Sequence, residues 1–219
     1  MTCRAPHVLF AIVLGLMPLT GCKIVKNPEP GSEAAGSATA TPADDAARMA
    51  RMAAEIFAAK VVPFVAEQAV DLSTLRDAVA GGLDAAGAQH GHRPESEGSP
   101  WNFLVKGQGK VVKADTASRA AKLELDSDGD GVADVTVQLG PVIKGTSLRD
   151  AADFLVFTDF RDQIEFAKLA RALNDEAHKA LRLPEGDLTG RRFAFEGALT
   201  LRAKGDALLL VPTQLSEVP

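Results

Sequence analysis

The sequence predicts an α+β protein built on a small five-stranded β-barrel, with a long helix between the third and fourth strands and an N-terminal helical hairpin before the barrel. Two segments with apolar residues at helical spacing come first, and three segments in which apolar and polar residues alternate follow them. A third helical segment and two more alternating segments complete the order. This is the element order of an OB-like barrel, and an open sheet with helices on one face is the alternative.

The helices are predicted from apolar residues that recur every three or four positions. The first begins at Asp44 and should end before Pro63, because the residue preceding a proline is driven out of helical geometry. The long helix after the third strand is predicted from about Asp159 to Leu181. The apolar faces of the two N-terminal helices are Met49, Met52 and Ile56 in the first, and Leu72, Leu75, Val79, Leu83 and Ala86 in the second.

The strands are predicted from alternation with a period of two. Gly107 and Gly109 indicate a bend or bulge in the first strand, and Gly205-Asp206 indicates a tight turn between the last two. The predicted strands are Phe103–Lys113, Ala121–Leu125, Val135–Leu139, Phe193–Leu201 and Ala207–Val211.

Charge and cysteine content exclude several classes of protein. The 219 residues include 24 Lys and Arg and 29 Asp and Glu, for a net charge of −5. This mildly acidic charge lacks the excess of basic residues that binding to nucleic acid requires. The 2 cysteines cannot form a disulfide framework, and no apolar run reaches the ~18 residues of a membrane-spanning helix.

The N-terminus combines three features of a bacterial lipoprotein signal. Arg4 gives a basic start, Val8–Leu19 is an apolar run of signal-peptide length, and Leu19-Thr20-Gly21-Cys22 resembles the lipobox whose cysteine is acylated. An ordinary secretory signal with an incidental cysteine, or a buried helix, is the alternative. We predict lipidation of Cys22 and anchoring in the bacterial cell envelope, with the protein facing the periplasm.

Composition then divides the chain into four segments. We interpret residues 1–21 as a lipoprotein signal peptide and residues 22–43 as the lipidated N-terminus and a flexible tether, because Asn27–Ala43 contains no large apolar residue. Residues 44–100 form the predicted helical hairpin and a loop, and residues 101–219 form the OB-like barrel domain.

A tight acidic loop joins the second and third predicted strands. Its sequence, Asp126–Asp134, has the pattern D-x-D-x-D-G-x-x-D. This pattern resembles the strand-loop-strand calcium loops of β-propeller and thrombospondin-type repeats. Calcium takes six to eight oxygen ligands, and carboxylates at alternate positions can wrap it from one side. The Glu of an EF-hand is absent, and a solvated acidic turn without metal is the alternative. The predicted Ca²⁺ ligands are Asp126, Asp128, Asp130, the Val132 carbonyl and Asp134.

Other groups are weaker candidates for a site. His90 and His92, with Glu95 and Glu97 nearby, could bind a transition metal, although histidines in such a loop are more often solvated. His178 is predicted on the solvent side of the long helix.

Three charged residues lie at predicted helix starts. Arg149, Asp150 and Asp159 fit either helix capping and a local ion pair, or a ligand pocket at the barrel mouth.

Several segments together are similar to the DUF2291 family of predicted periplasmic lipoproteins. The resemblance implies an envelope lipoprotein, often regarded as an accessory to sugar-type ABC transport, and it brings no catalytic residues. The matching segments are Gly21–Lys26, Leu125–Val135, Gln138–Asp150, Phe157–Ala167 and Gly190–Leu201.

These observations favour a non-catalytic binding or accessory module that is anchored to the membrane by lipid. We expect its partners to include components of an ABC transporter. The alternatives are an enzyme that acts on envelope glycans through a pair of carboxylates, and a purely structural tether rigidified by calcium.

Overall fold

The computed structural model describes residues 42–94 and 98–219. The predicted signal peptide, Cys22 and nearly all of the tether therefore lie outside the described residues. The described chain begins with helix α1, Pro42–Ile56, continues through a π-helical turn, Phe57–Val61, and ends its first helical stretch with α2, Val62–Gln68.

The prediction that this helix ends before Pro63 is wrong. The N–H of Val62 donates to the carbonyl of Phe57, five residues back, so the helix widens by one residue just before the proline. A proline inside a regular α-helix clashes with the carbonyl four residues earlier and removes one hydrogen bond. The π turn relieves this conflict locally and lets the helix continue to Gln68.

The second predicted helix is present as two short helices. Helix α3, Leu72–Gly81, is separated from α4, Leu83–His90, by Gly82, whose φ of 149° lies in a region that L side chains rarely adopt. Two-residue strands flank this pair: β1, Val70–Asp71, and β2, Gly91–His92.

A closed five-stranded barrel forms the centre of the molecule, as the element order predicts. The hydrogen-bonded order is β3-β4-β5-β7-β6, and β6 pairs back onto β3 to close the barrel. Strands β5 and β7 are parallel, whereas the other barrel pairs are antiparallel. The barrel strands are β3, Trp101–Asp115; β4, Ala120–Asp126; β5, Val135–Pro141; β6, Arg192–Leu201; and β7, Leu208–Val218.

The two glycines of β3 serve close packing. The bulge of β3 lies between Val111 and Lys113, beyond both of them. A Cβ on Gly107 would lie 2.9 Å from the Phe195 ring, and one on Gly109 would lie 2.8 Å from the Asp126 carbonyl oxygen. The barrel wall therefore needs glycine where these neighbours press against β3.

The long helix between the third and fourth barrel strands is present, with a later start than predicted. A short helix α5, Ser147–Asp150, and a 3-10 turn, Phe157–Asp159, come before helix α6, Gln163–Ala180. Asp162 caps α6, because its carboxylate accepts a 2.8 Å hydrogen bond from the Glu165 N–H.

The buried residues form two clusters, one inside the barrel and one outside it. Helices α3 and α4 contribute to the interior cluster, whereas α1, α2, α5 and α6 pack on the outer barrel face around Ala198 and Val211. The two N-terminal helical stretches precede the barrel as predicted, but they pack on different partners rather than on each other as a hairpin. Helix α1 lies mainly against α6, because its apolar face meets that of α6.

Candidate functional site

The acidic loop, Asp126–Asp134, connects β4 to β5 and brings three of its carboxylates together. Carboxylate oxygens of Asp126, Asp128 and Asp130 all lie within 4.8 Å of one another. Asp126 is buried at the end of β4, and the other two carboxylates are exposed. This spacing suits several oxygens on one cation, as alternate positions in a tight turn would predict.

Backbone N–H groups hold the loop around Asp126. Its carboxylate accepts hydrogen bonds from the N–H of Gly129 at 2.6 Å and of Gly131 at 2.9 Å. Both glycines have a positive φ, 87° and 86°, which lets the chain turn back toward the carboxylate. These hydrogen bonds stabilise the charged carboxylate and keep the pKa of Asp126 below its ordinary value, and the bond from Gly129 has the largest effect.

Asp134 lies apart from this trio, although it belongs to the predicted ligand set. One of its carboxylate oxygens accepts from the Ser127 hydroxyl at 2.8 Å, and the other accepts from the Ser127 N–H at 3.0 Å. The Arg76 guanidinium on α3 lies 3.2 Å from Asp134 and 2.9 Å from Asp128. Arg76 is a part of the site that sequence reasoning missed, because only the fold brings α3 to this loop.

Val132 lies at the exposed end of the acidic loop, where its N–H donates to the Asp130 carboxylate at 2.7 Å. The Val132 carbonyl remains a predicted ligand. It belongs to the same turn as the three clustered carboxylates, and the hydrogen bond to Asp130 fixes the position of that turn.

Two clefts flank the acidic loop and Arg76. The larger, about 740 Å³, lies between the loop and the neighbouring parts of β3 and β6, and its lining includes Lys110, Arg192, Asp126 and Asp128. The smaller, about 320 Å³, has an apolar floor that includes Leu75 and Leu208. The acidic loop therefore lies beside a concave surface that carries both signs of charge.

Two of the three histidines considered in the sequence, His92 and His178, make main-chain contacts. His92 Nδ1 lies 2.6 Å from the Asp150 carbonyl oxygen, while Glu95 and Glu97 lie outside the described residues. The prediction that His178 faces solvent is wrong. His178 is partly buried, and its Nδ1 lies 2.6 Å from the Leu139 carbonyl oxygen, since α6 packs across the end of β5.

The candidate pocket residues at the helix starts do not all meet. Arg149 and Asp150 form an ion pair at 2.5 Å, and the Arg149 guanidinium also bonds the Phe166 carbonyl and lies 3.9 Å from the centre of the Phe166 ring. Asp159 is exposed on the 3-10 turn. The geometry gives Arg149 a packing role between α5 and α6.

A buried charge network between α1 and α6 was not anticipated from the sequence. The buried carboxylate of Asp45 accepts two hydrogen bonds from Arg161, at 3.1 and 2.6 Å. The buried Glu165 carboxylate accepts from Arg48 and from the Arg161 N–H. Lys168 lies 3.6 Å from Asp45. The pKa of each carboxyl is held below its ordinary value, chiefly by Arg161 for Asp45 and by Arg48 for Glu165.

The closed barrel, its strand order and the helix after its third strand define an OB-fold protein. An OB-fold protein from Thermotoga maritima has a crystal structure similar to this one, with a TM-score of 0.59. The match covers 78% of this chain and 98% of that chain at 18% sequence identity, so it supports the fold alone. A search of curated proteins gives no match.

The family model for predicted periplasmic lipoproteins, DUF2291, matches residues 11–216, and the chain belongs to this family. The resemblance seen in the sequence is thereby confirmed, together with the placement of the protein as a lipoprotein of the bacterial envelope. Within residues 42–94 and 98–219, no helix is long and apolar enough to cross a membrane.

Proposed function

We propose that this periplasmic lipoprotein is a non-catalytic accessory module whose acidic loop binds Ca²⁺ beside the larger barrel cleft. The observation that carries the calcium part is the trio of carboxylates from Asp126, Asp128 and Asp130, whose oxygens lie within 4.8 Å of one another. The ordered backbone around Asp126 supplies the sharp turn that such a loop needs.

The donor set suits calcium better than magnesium. Ca²⁺ accepts a flexible shell of six to eight oxygens, whereas Mg²⁺ demands a near-octahedral shell and retains its waters. Three carboxylates and the Val132 carbonyl leave places for water in the larger shell. Arg76 already neutralises Asp128, at 2.9 Å, and Asp134, so we expect a weak site of about 10⁻⁴–10⁻³ M that envelope calcium can fill.

An enzyme that acts on envelope glycans is the second candidate function. Such an enzyme needs one carboxyl group with a raised pKa to protonate the leaving group. Hydrogen bonds instead lower the pKa of Asp126 in the loop and of Asp162 at the start of α6. This direction favours carboxylates that hold a cation or cap a helix over a general acid.

A thermal melt of the folded protein in chelator, in calcium and in magnesium tests the metal site. Binding stabilises the folded state by RT ln(1 + [L]/Kd), about 1.4 kcal/mol for ~1 mM calcium and a Kd of ~0.1 mM. The melting temperature should rise by roughly 3–6 °C in calcium, and much less in magnesium.

Asp130→Ala should abolish this calcium response, because it removes one of the clustered carboxylates. In chelator the variant should be no less stable than wild type, since the change also relieves repulsion among the carboxylates. Asp159→Ala, which removes an exposed carboxylate elsewhere, is the matched control and should keep the full response. A wild-type melting temperature that ignores several millimolar calcium would refute the metal site.

The accessory role has a separate test. The chain should be crosslinked in the intact envelope and recovered from it, and the crosslinked proteins identified by mass spectrometry. We expect subunits of a sugar-type ABC transporter. Recovery of the chain without any transporter subunit would contradict this part of the proposal and leave the calcium site unaffected.

A further inference from the structure

An exposed apolar patch lies on the segment that leads into α6. We define the apolar patch as Val156, Phe157 and Ile164, which are 48%, 44% and 65% exposed. These are large side chains within nine positions of one another, and the first turn of α6 carries the most exposed of them. Large apolar side chains exposed this close together on the surface of a folded domain favour an interaction site.

Phe157, at one side of the patch, is supported by packed rings. The Phe157 ring packs edge-on against Phe166 with centroids 5.6 Å apart, and Phe160 lies 4.9 Å from Phe166 on another side. The Arg149 guanidinium covers Phe166 at 3.9 Å. A supported aromatic cluster is presented to solvent, so the patch needs little ordering when it binds.

The patch lies at the end of the molecule where the described chain begins. Arg161, between Phe157 and Ile164, bonds Asp45 in the first turn of α1, and Arg48 bonds Glu165 one turn further along both helices. The N-terminal turns of α1 and α6 are therefore side by side. The described chain begins at Pro42, in the same first turn of α1 that Arg161 contacts through Asp45.

The short segment between Cys22 and α1 indicates that the surface in contact with the patch is the membrane. Only the 20 residues 22–41 separate the predicted lipid-bearing Cys22 from α1. For the tether that the composition predicts here, the end-to-end distance is roughly 25 Å, which is less than the thickness of a bilayer with its headgroups. The lipid anchor thus keeps the α1 end of the folded domain at high effective concentration near the membrane surface.

We propose that the apolar patch inserts into the interface of the membrane in which Cys22 is anchored, so that the N-terminal ends of α1 and α6 face the bilayer. Near the patch, Arg48, Arg161 and Lys168 pair with Asp45, Asp162 and Glu165. The exposed Asp159 adds a negative charge, so no excess of positive charge draws the patch to anionic lipid. The contact is therefore driven by apolar side chains, and it should resist salt. This inference rests on the predicted lipid at Cys22, and it is independent of calcium binding.

A single-cysteine fluorescence experiment tests this orientation. The mature chain has no free thiol once Cys3 leaves with the signal peptide and Cys22 is acylated, so Ile164→Cys provides one labelling position. The lipidated protein carries an environment-sensitive fluorophore there and is reconstituted into phosphatidylethanolamine–phosphatidylglycerol vesicles that contain spin-labelled lipid. Leu209→Cys, on β7 and 41% exposed, is the matched control.

We expect the spin-labelled lipid to quench the fluorophore at position 164 several-fold more than the one at position 209, in low and high salt alike. Equal lipid quenching at both positions, with position 164 open to aqueous iodide, would overturn the proposal. Shielding of position 164 from both quenchers would overturn it as well, by indicating a second copy or another protein on the patch. Mass spectrometry of the same sample reports lipidation, so failure of the anchor is distinguished from failure of the patch.

Discussion

At the scale of single residues, the contact between α1 and α6 depends on two buried carboxylates. Asp45 and Glu165 are both buried, yet each accepts hydrogen bonds from guanidinium groups and Glu165 also from a backbone N–H. Removal of one partner from such a network leaves the remaining charges without compensation, and this is more costly than the net value of the pair. The network therefore fixes how the two helices meet.

We expect the stability of the fold to fall in acid through these two groups. Their pKa values in the folded state lie below the ordinary values of 3.8 for Asp and 4.5 for Glu, because Arg161 and Arg48 favour the charged forms. Their contribution is fully present above those ordinary values, and it is lost as pH falls through the lower folded-state values. Asp45→Asn should reduce the free energy of unfolding at pH 7, and it should make the fall of that free energy shallower as pH drops below the ordinary Asp value of 3.8.

Urea unfolding at several pH values measures this. Asp153→Asn, which removes an exposed carboxylate beyond α5, is the control and should follow the wild-type pH profile. If Asp45→Asn also follows that profile, with the same stability at pH 7, the network does not hold α1 against α6.

At the scale of elements, the π turn between α1 and α2 keeps one helix face buried past a proline. The buried residues of this stretch recur every four positions, as Met49, Ala53, Phe57, Val61 and Val65. A regular α-helix rotates such a set gradually off its face, because four residues exceed one turn of 3.6. The wider turn at Phe57–Val61 corrects part of that drift and spares Pro63 its clash.

Deletion of Ala59, an exposed residue inside the π turn, tests the link to Pro63. The deletion should convert the turn to regular α-helix and bring the proline ring against a carbonyl, at a cost of about 3 kcal/mol. The same deletion combined with Pro63→Ala should recover most of that loss, because alanine restores the N–H and removes the ring. Chemical denaturation of the two variants gives the difference. Equal losses in both variants would show that the proline is not the cause.

The barrel could be predicted from the sequence, because alternation and turn residues are local signals. The Asp126–Asp134 loop was equally visible, since its three clustered carboxylates come from consecutive alternate positions. Arg76 and the Asp45–Arg161 pair were not visible, because residues that are distant in the sequence meet only when the helices dock. The predicted end of the first helix was wrong because the local effect of Pro63 did not decide the outcome. Packing of the buried helix face on α6 and the barrel keeps the helix going past the proline.

At the scale of the whole molecule, one barrel presents different chemistry on different sides. The interior cluster is closed by α3, which also carries Arg76 to the acidic loop, whereas the outer cluster is covered by α1, α2 and α6. The apolar patch lies at the start of α6, on the side of the outer cluster, whereas the candidate calcium loop is contacted by Arg76 of α3. The same fold therefore keeps the proposed calcium loop and the apolar patch on separate surfaces.

The proposed membrane-facing orientation of the apolar patch requires a lipid at Cys22, and we predict that this cysteine is acylated. Cys22→Ser should give an unlipidated precursor that takes up no labelled fatty acid, because the acylated thiol is gone. Cys3→Ser is the matched control, since it removes the other cysteine and should leave labelling unchanged. Within the part of the chain that the structure describes, the first residue of the buried clusters is Met49, so we expect the stability of the folded domain to change by less than about 0.5 kcal/mol in Cys22→Ser. Equal incorporation of labelled fatty acid by wild type and Cys22→Ser would place the lipid elsewhere and remove the basis for the membrane-facing orientation.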